Sequence, residues 1–529
     1  MNNRTRRFGV AAAIGLLSAG VAVGVGELVA AVSRPVAAPV IAVGNRFILL
    51  TPESVKRSAI RQFGTDDKQV LLTGIYLVLA VLAVLIGLLA LRSLRLGLAG
   101  VALLGAVGGY SALTAHAARG ADAVPSVVGA LAGMAALVLL VRAAAGSRER
   151  PRPPGALLAD RRLFLKGGVA GAGLAVIGGF GGRALQHTRY DASAARAAIR
   201  LPEPVPGPDT GAGASAGPGS GAAEASGLHN FDLGKSGVPF ATPAASFYRI
   251  DTALSVPQLD PDTWSLRISG MVDRPLTLSY ADLLARPLVE RWITLACVSN
   301  EVGGQLISNA RFRGVLLAPL LREAGISAEA SQLLAVSSDG MTIGSPTAVV
   351  LDGRDAMLAV GMNGEPLPVE HGFPVRMVVP GLYGYVSACK WIVELRATTF
   401  QNYQAYWVQG GWAPQGPVKL ASRIDRPSSG TVAVGASVPV AGIAWDQHVG
   451  VSRVEVQVDD GRWQPATLAP VPSVDSWRQW VYLWTPESAG AHRLRVRAYD
   501  SAGRPQDEAV ADPFPSGATG LHSVTVRAR

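Results

Sequence analysis

Only two cysteines, Cys297 and Cys389, occur in 529 residues, too few for a disulfide framework. Cys297 has no cysteine or histidine partner at zinc-ligand spacing, so an ordinary tetrahedral zinc site is not expected there. Charged residues make up only 16% of the chain. The balance is nonetheless +10, which by itself admits nucleic acid or an anionic surface as partner. No basic stripe interleaved with aromatics appears, so nucleic-acid binding is not expected. Many of the basic residues instead flank apolar stretches, where Lys and Arg set membrane orientation. What is abundant is apolar sequence, at 49%, a balance that suits a chain lying partly in lipid and partly in water. At this length a single core is excluded and about two to four units are expected.

Phe8 to Val32, Val70 to Leu91, Leu96 to Ala115 and Val124 to Val141 are apolar runs near the ~20 residues that span a bilayer. They predict four transmembrane helices over 1–145, with Ser33 to Gln69 as a loop. Arg4, Arg6 and Arg7, then Arg92 and Arg95, then Arg142, Arg148, Arg150 and Arg152 mark the cytoplasmic flanks. Arg46, Lys56, Arg57 and Arg61 in the first loop weaken that bias without reversing it. Glu27 and His116 are the ionisable groups to flag, since charge in hydrocarbon is costly. One clear membrane histidine does not support paired haem ligation.

Residues 146–200 hold a cytoplasmic loop, then Asp160-Arg161-Arg162-Leu163-Phe164-Leu165-Lys166, then a fifth apolar run from Gly167 to Gly182. This looks like an internal twin-arginine export signal, or else a stop-transfer flank. Both readings put everything after Arg183 outside the cytoplasm. The stretch over 201–227 is Pro, Gly, Ala and Ser with almost no large apolar residue and reads as a flexible tether. A soluble domain with mixed strand and helix signals follows over 228–415. Over 416–529, short alternating runs separated by turns such as Asp459-Asp460-Gly461 predict a β-sandwich.

The most informative segment runs Ile293-Thr294-Leu295-Ala296-Cys297-Val298-Ser299-Asn300-Glu301-Val302-Gly303-Gly304. An apolar, strand-like run delivers a thiol to a polar, Gly-rich turn, where it can face a cofactor. A thiolate is a soft ligand suited to a transition metal, and non-protein donors must complete the set. For a lone cysteine the plain alternative is a small buried hydrophobe.

Together with further ordered motifs, this segment resembles the sulfite oxidase family from about Phe247 onward. The motifs include Phe247-Tyr248-Arg249, Ser308-Asn309-Ala310-Arg311-Phe312-Arg313-Gly314, Met362-Asn363-Gly364-Glu365-Pro366, His371-Gly372-Phe373-Pro374-Val375-Arg376 and Lys390-Trp391. The resemblance implies an α+β molybdopterin domain over 228–415 and an immunoglobulin-like, dimerisation-type sandwich over 416–529. It also implies the molybdenum–molybdopterin cofactor, with Cys297 as the metal's protein thiolate and a pterin dithiolene supplying two further sulfurs. Arg249 matches the arginine that holds an anionic substrate near the metal, by the bidentate pairing a guanidinium allows. A pterin phosphate needs cationic and backbone donors. His371, Arg376 and Lys390 lie in Gly- and Pro-punctuated loops able to supply them, although isolated cations are ordinarily solvated surface charges. Tyr248, Arg249, Ser299, Asn300 and Asn309 complete the expected cofactor contacts, with ordinary turn chemistry as the alternative for the asparagines.

Two departures bear on substrate. Where the animal enzymes carry a tyrosine beside the metal, this chain has Val360, within Leu358-Ala359-Val360-Gly361-Met362-Asn363-Gly364. The Gly- and Arg-rich substrate loop is absent around Trp445 to Gly450. The expectation is a multi-pass cell-membrane protein whose extracytoplasmic domain performs oxygen-atom transfer on a small oxyanion or sulfur substrate. Electrons pass to an external acceptor, and a homodimer is possible. The alternatives are an extracytoplasmic reductase of sulfoxides, such as protein methionine sulfoxide, and a non-catalytic membrane protein with an adhesive sandwich module.

Overall fold

The computed structural model describes residues 3–52, 55, 62, 67–115, 118–145, 192–205, 237–428 and 430–529. His116, the paired-arginine motif, the fifth apolar run and most of the tether lie outside the described residues. The chain forms two compact units, residues 1–191 with 252–258, and residues 192–251 with 259–529.

In the first unit, four helices are long and apolar enough to cross a membrane: Arg7–Val32, Lys68–Arg92, Leu94–Leu113 and Gly120–Ala144. They match the four expected runs to within a few residues. The Ser33 to Gln69 segment is not simply a loop, because Pro39–Leu50 is helical. Proline at the first helical position starts that helix, where the missing N–H costs nothing. Small residues let the long helices approach closely: a Cβ on Gly15 would run into the Ala83 carbonyl oxygen, and one on Gly97 would lie 2.5 Å from the Ala90 Cβ. Glu27 is buried at 3% exposure. Arg34 and Asp122 form an ion pair at 2.6 Å.

In the second unit, one mixed sheet has the order Leu276–Ser279, Ser265–Gly270, Ile392–Thr398, Gln332–Ser337, Thr342–Pro346. A second sheet pairs Val289–Ala296 with Ile307–Leu316, then with Met357–Met362, which also pairs Glu365–Pro366 and Arg376–Val378. Between them lies an apolar core of Leu266, Ile268, Leu333, Leu358, Val360, Met377 and their neighbours.

The C-terminal strands make the expected sandwich. One sheet has the order Ala421–Arg426, Val438–Trp445, Arg478–Trp484, Thr467–Leu468. The other has the order Thr431–Val432, Ser523–Ala528, Gly490–Asp500, Val451–Val458, Gln464–Pro465. Alternating inward residues such as Val454, Val456, Leu494, Val496 and Trp480 fill the space between them. Ala441, Ile443, Trp445 and Trp477 pack on Ala296, Val298 and Tyr383, so the sandwich abuts the end of the strand that carries Cys297.

Candidate active site

Cys297 directly follows the Val289–Ala296 strand. Its N–H donates to the Leu306 carbonyl at 2.9 Å, and its own carbonyl accepts from the Asn300 N–H at 3.1 Å. Asn300 Oδ1 accepts from the Leu306 N–H at 2.8 Å. The asparagine therefore closes the turn, which leaves its amide nitrogen for other work. Cys297 opens that turn and is mostly covered, at 8% exposure. Ser299, inside the same turn, is half-buried.

The Tyr248 hydroxyl lies beside the strand end: a Cβ on Gly384 would be 3.4 Å from it and 3.7 Å from the Ala296 carbonyl oxygen. Burial pushes the Tyr248 phenol well up, the charge of Cys297 adds to this, and Arg376 opposes it. Tyr383 is pushed up to about 12, by burial first and also by Cys297 and Asp446. Cys297, Tyr248, Tyr383 and Arg376 thus share one electrostatic neighbourhood.

Arg376 sits on a strand rather than in the loop that the flanking Gly and Pro had suggested, so its position is set by the ladder to Ala359. Its Nη1 donates to the His371 carbonyl at 3.2 Å, and its guanidinium carbon lies 5.7 Å from the Phe312 ring centre. Its buried Nε has no hydrogen-bond partner among the described residues. Burial lowers its pKa to about 10, leaving it cationic at neutral pH. Lys390 Nζ donates to Asp251 Oδ2 at 2.6 Å and to the Glu370 carbonyl at 3.1 Å, and lies 4.6 Å from the Trp391 ring centre. Burial lowers it to about 8, against the pull of Asp251. Gly372 brings these two cations together. Its φ of 113° is left-handed, and a Cβ there would meet Arg376 Cβ at 3.0 Å and Lys390 Cα at 3.2 Å.

His371 is not the cation expected of it. Burial, with Arg376 nearby, lowers it to about 4. Its Nε2 lies 3.0 Å from the Ala244 carbonyl, which can only accept, so the proton is on Nε2 and Nδ1 is left as an acceptor. Asn309 is fully buried, with Oδ1 taking the Thr294 hydroxyl at 2.9 Å and Nδ2 donating to the Phe240 carbonyl at 3.1 Å. It shapes the strand pair and presents no surface to a ligand. Val360 likewise has no exposure and lies in the apolar core, so it lines no open cavity.

Arg249 Nε donates to the same Asp251 oxygen that Lys390 uses, at 2.9 Å, and its side chain is about a third exposed. Sequence reasoning missed Asp251, although two residues apart on an extended chain is a same-side spacing. It also missed the half-buried Asp339, whose carboxyl is pushed up by burial first and which interacts with Asp251 and Lys390. No short-range pattern ties Asp339 to that pair.

A soft thiol, three cations against two carboxyls, and an unsatisfied buried guanidinium N–H together fit a group with a metal at one end and an anion at the other. The donor set therefore fits a molybdopterin. Residues 253–407 match the family described as oxidoreductase molybdopterin binding domain, and 421–496 match bacterial Ig domain. An uncharacterized oxidoreductase of Bacillus subtilis, YuiH, is 34% identical over 157 residues, covering 30% of this chain and 76% of that protein. Human mitochondrial sulfite oxidase is 31% identical over 321 residues, 51% of this chain and 58% of the enzyme. The sulfane dehydrogenase SoxCD from Paracoccus pantotrophus has a TM-score of 0.46 at 23% identity, over 54% of this chain and 81% of that one. The chain belongs to the sulfite oxidase family of molybdopterin-dependent oxidoreductases, and it spans somewhat more than half the length of the sulfite oxidases it matches.

Proposed function

We propose that this chain is a membrane-anchored enzyme that transfers an oxygen atom to or from a small sulfur-centred or oxyanion substrate and exchanges electrons with an external partner. The observation that carries this is the strand-end Cys297 with the Tyr248 hydroxyl beside that strand end and the buried Arg376, whose Nε has no hydrogen-bond partner among the described residues. Cys297 would be the metal's thiolate ligand. Arg376 and Lys390 would hold the cofactor's anionic end, with Tyr248, His371, Ser299 and the Asn300 amide nitrogen as its polar neighbours. The bound cofactor supplies two-electron oxygen-transfer chemistry, while the protein supplies orientation and charge. Four apolar helices support membrane anchoring, and the arginine flanks and the paired-arginine motif support an extracytoplasmic catalytic domain.

Arg249 is the substrate-side cation in this reading, but Asp251 already takes up part of its charge. That favours weak handling of a dianion such as sulfite and better handling of an uncharged sulfoxide in the reverse direction. Turnover of sulfite with a soluble acceptor, and of a sulfoxide with a reduced donor, tests this. A charged hydrogen bond contributes roughly 1.5–3 kcal/mol, so Arg249→Ala is expected to lower kcat/KM for sulfite about tenfold or more and for the sulfoxide by less. Equal effects on both would remove Arg249 from substrate recognition.

The Lys390 ammonium loses its proton as pH rises through about 8. Retention of an anionic cofactor should therefore fall above that pH. Stability of the cofactor-free protein should move the other way. Because the folded pKa lies below the ordinary value of 10.5, the unfolded chain binds more protons between the two, and stability rises with pH across that window. Pterin retained on gel filtration, and melting of cofactor-free protein, each measured on both sides of about pH 8, give the two signs. Retention that does not change with pH would exclude Lys390 as an anion ligand.

A further inference from the structure

The loop that carries Cys297 is held from both sides by the immunoglobulin-like sandwich. Upstream, the Thr294 N–H donates to the Asp475 carbonyl at 2.9 Å. The Thr294 carbonyl accepts from Gln447 Nε2 at 3.1 Å, and its hydroxyl accepts from the Trp477 N–H at 2.7 Å. Downstream, Arg423 Nη1 donates to the Gly304 carbonyl at 2.6 Å, while its Nε is fixed by Asp425 Oδ1 at 2.6 Å. The Arg423 side chain is only 8% exposed.

Beside it, the His522 ring lies against Gly303 so closely that a Cβ there would run into the ring. Gly303 also has a φ of 76°, so both space and backbone require glycine. His522 is itself oriented by the Ile424 N–H, which donates to its Nδ1 at 2.9 Å. A buried charge-assisted hydrogen bond to one carbonyl, with an aromatic ring against the preceding residue, fixes the exit of the Cys297 turn more firmly than a solvated loop could fix itself.

We infer that the sandwich is a positioning element for the metal-ligand loop, with Arg423 and His522 as the residues that set how the Cys297 thiol is presented. The inference rests on the reading of Cys297 as the ligand. Its own claim, that the sandwich immobilises this thiol, is tested without any metal.

The test uses the full-length chain made without molybdopterin. Alkylation rates of Cys297 and Cys389 are followed separately by mass spectrometry. The Arg423 variants carry Asp425→Asn as well, so that no buried carboxylate is left without its partner. Loss of one charged hydrogen bond is expected to raise the Cys297 rate about tenfold in Arg423→Met, with the fully buried Cys389 unchanged. Arg423→Lys should restore part of the protection. Gly303→Ala should also expose Cys297, and so should His522→Ala, which removes the ring packed against Gly303. An unchanged Cys297 rate in Arg423→Met overturns the inference. So does a parallel rise at Cys389, which would mean general loosening of the fold.

Discussion

Cys297→Ser is expected to reduce turnover at least about a hundredfold, equivalent to roughly 2.7 kcal/mol or more of transition-state stabilisation, while the protein still folds. A hydroxyl is a harder and poorer ligand than a thiolate, yet it is close to isosteric. Cys297 lies in no disulfide, so the stability change should stay near about 1 kcal/mol. Cys389→Ser is expected to behave in the opposite way. That thiol has no exposure, lies in the main apolar core, and makes a weak 3.7 Å contact to the Lys390 carbonyl. Burial pushes its pKa far up, so it stays a neutral thiol. A hydroxyl there costs about 1–3 kcal/mol if poorly paired, and metal content should be kept. Activity and melting temperature of the two variants give the comparison, and equal loss of activity in both would mean the wrong cysteine carries the chemistry.

Arg376→Met is expected to empty the site of cofactor while leaving the cofactor-free protein as stable as before, or more so. The guanidinium is buried, its Nε has no hydrogen-bond partner among the described residues, and burial already lowers its pKa to about 10, so the charge is held at a cost in the cofactor-free protein. An apolar side chain of similar length removes that cost. A phosphate, in contrast, would lose one or two charged hydrogen bonds at about 1.5–3 kcal/mol each, or about tenfold to a thousandfold or more in affinity. Pterin per chain after gel filtration, set beside melting of the cofactor-free protein, reads both effects. A variant that keeps a full complement of pterin would place the anion elsewhere.

Much of this was legible because it is periodic or local. The four long apolar helices are runs of nearly bilayer length, and the sandwich strands alternate in and out. The thiol between an apolar run and a Gly-rich turn marks the end of a strand. The Pro39–Leu50 helix was not legible, since twelve residues interrupted by Arg46 make neither a span nor a clear amphipathic pattern. Residue type led to Asn309 as a cofactor contact, but its amide is consumed by Thr294 and Phe240, partners fixed only by the strand register. His371 was read as a cation, and burial makes it neutral. Asp251 and Arg423 went unnoticed because Lys390 and Gly304, the partners that tie them to the site, lie 139 and 119 residues away, and no pattern along the chain links those pairs. Val360 was expected beside the metal, and only the core packing shows that it lies in the apolar core with no exposure.

The account turns on Cys297 as a bond to molybdenum, and X-ray absorption at the molybdenum edge of the purified holoenzyme measures that bond directly. With the cofactor's two dithiolene sulfurs and the Cys297 thiolate, the wild type should show about three sulfur neighbours and Cys297→Ser should show about two, with the cofactor still bound. An unchanged sulfur count in the loaded variant, or a wild-type protein that carries no molybdenum at all, would contradict the account.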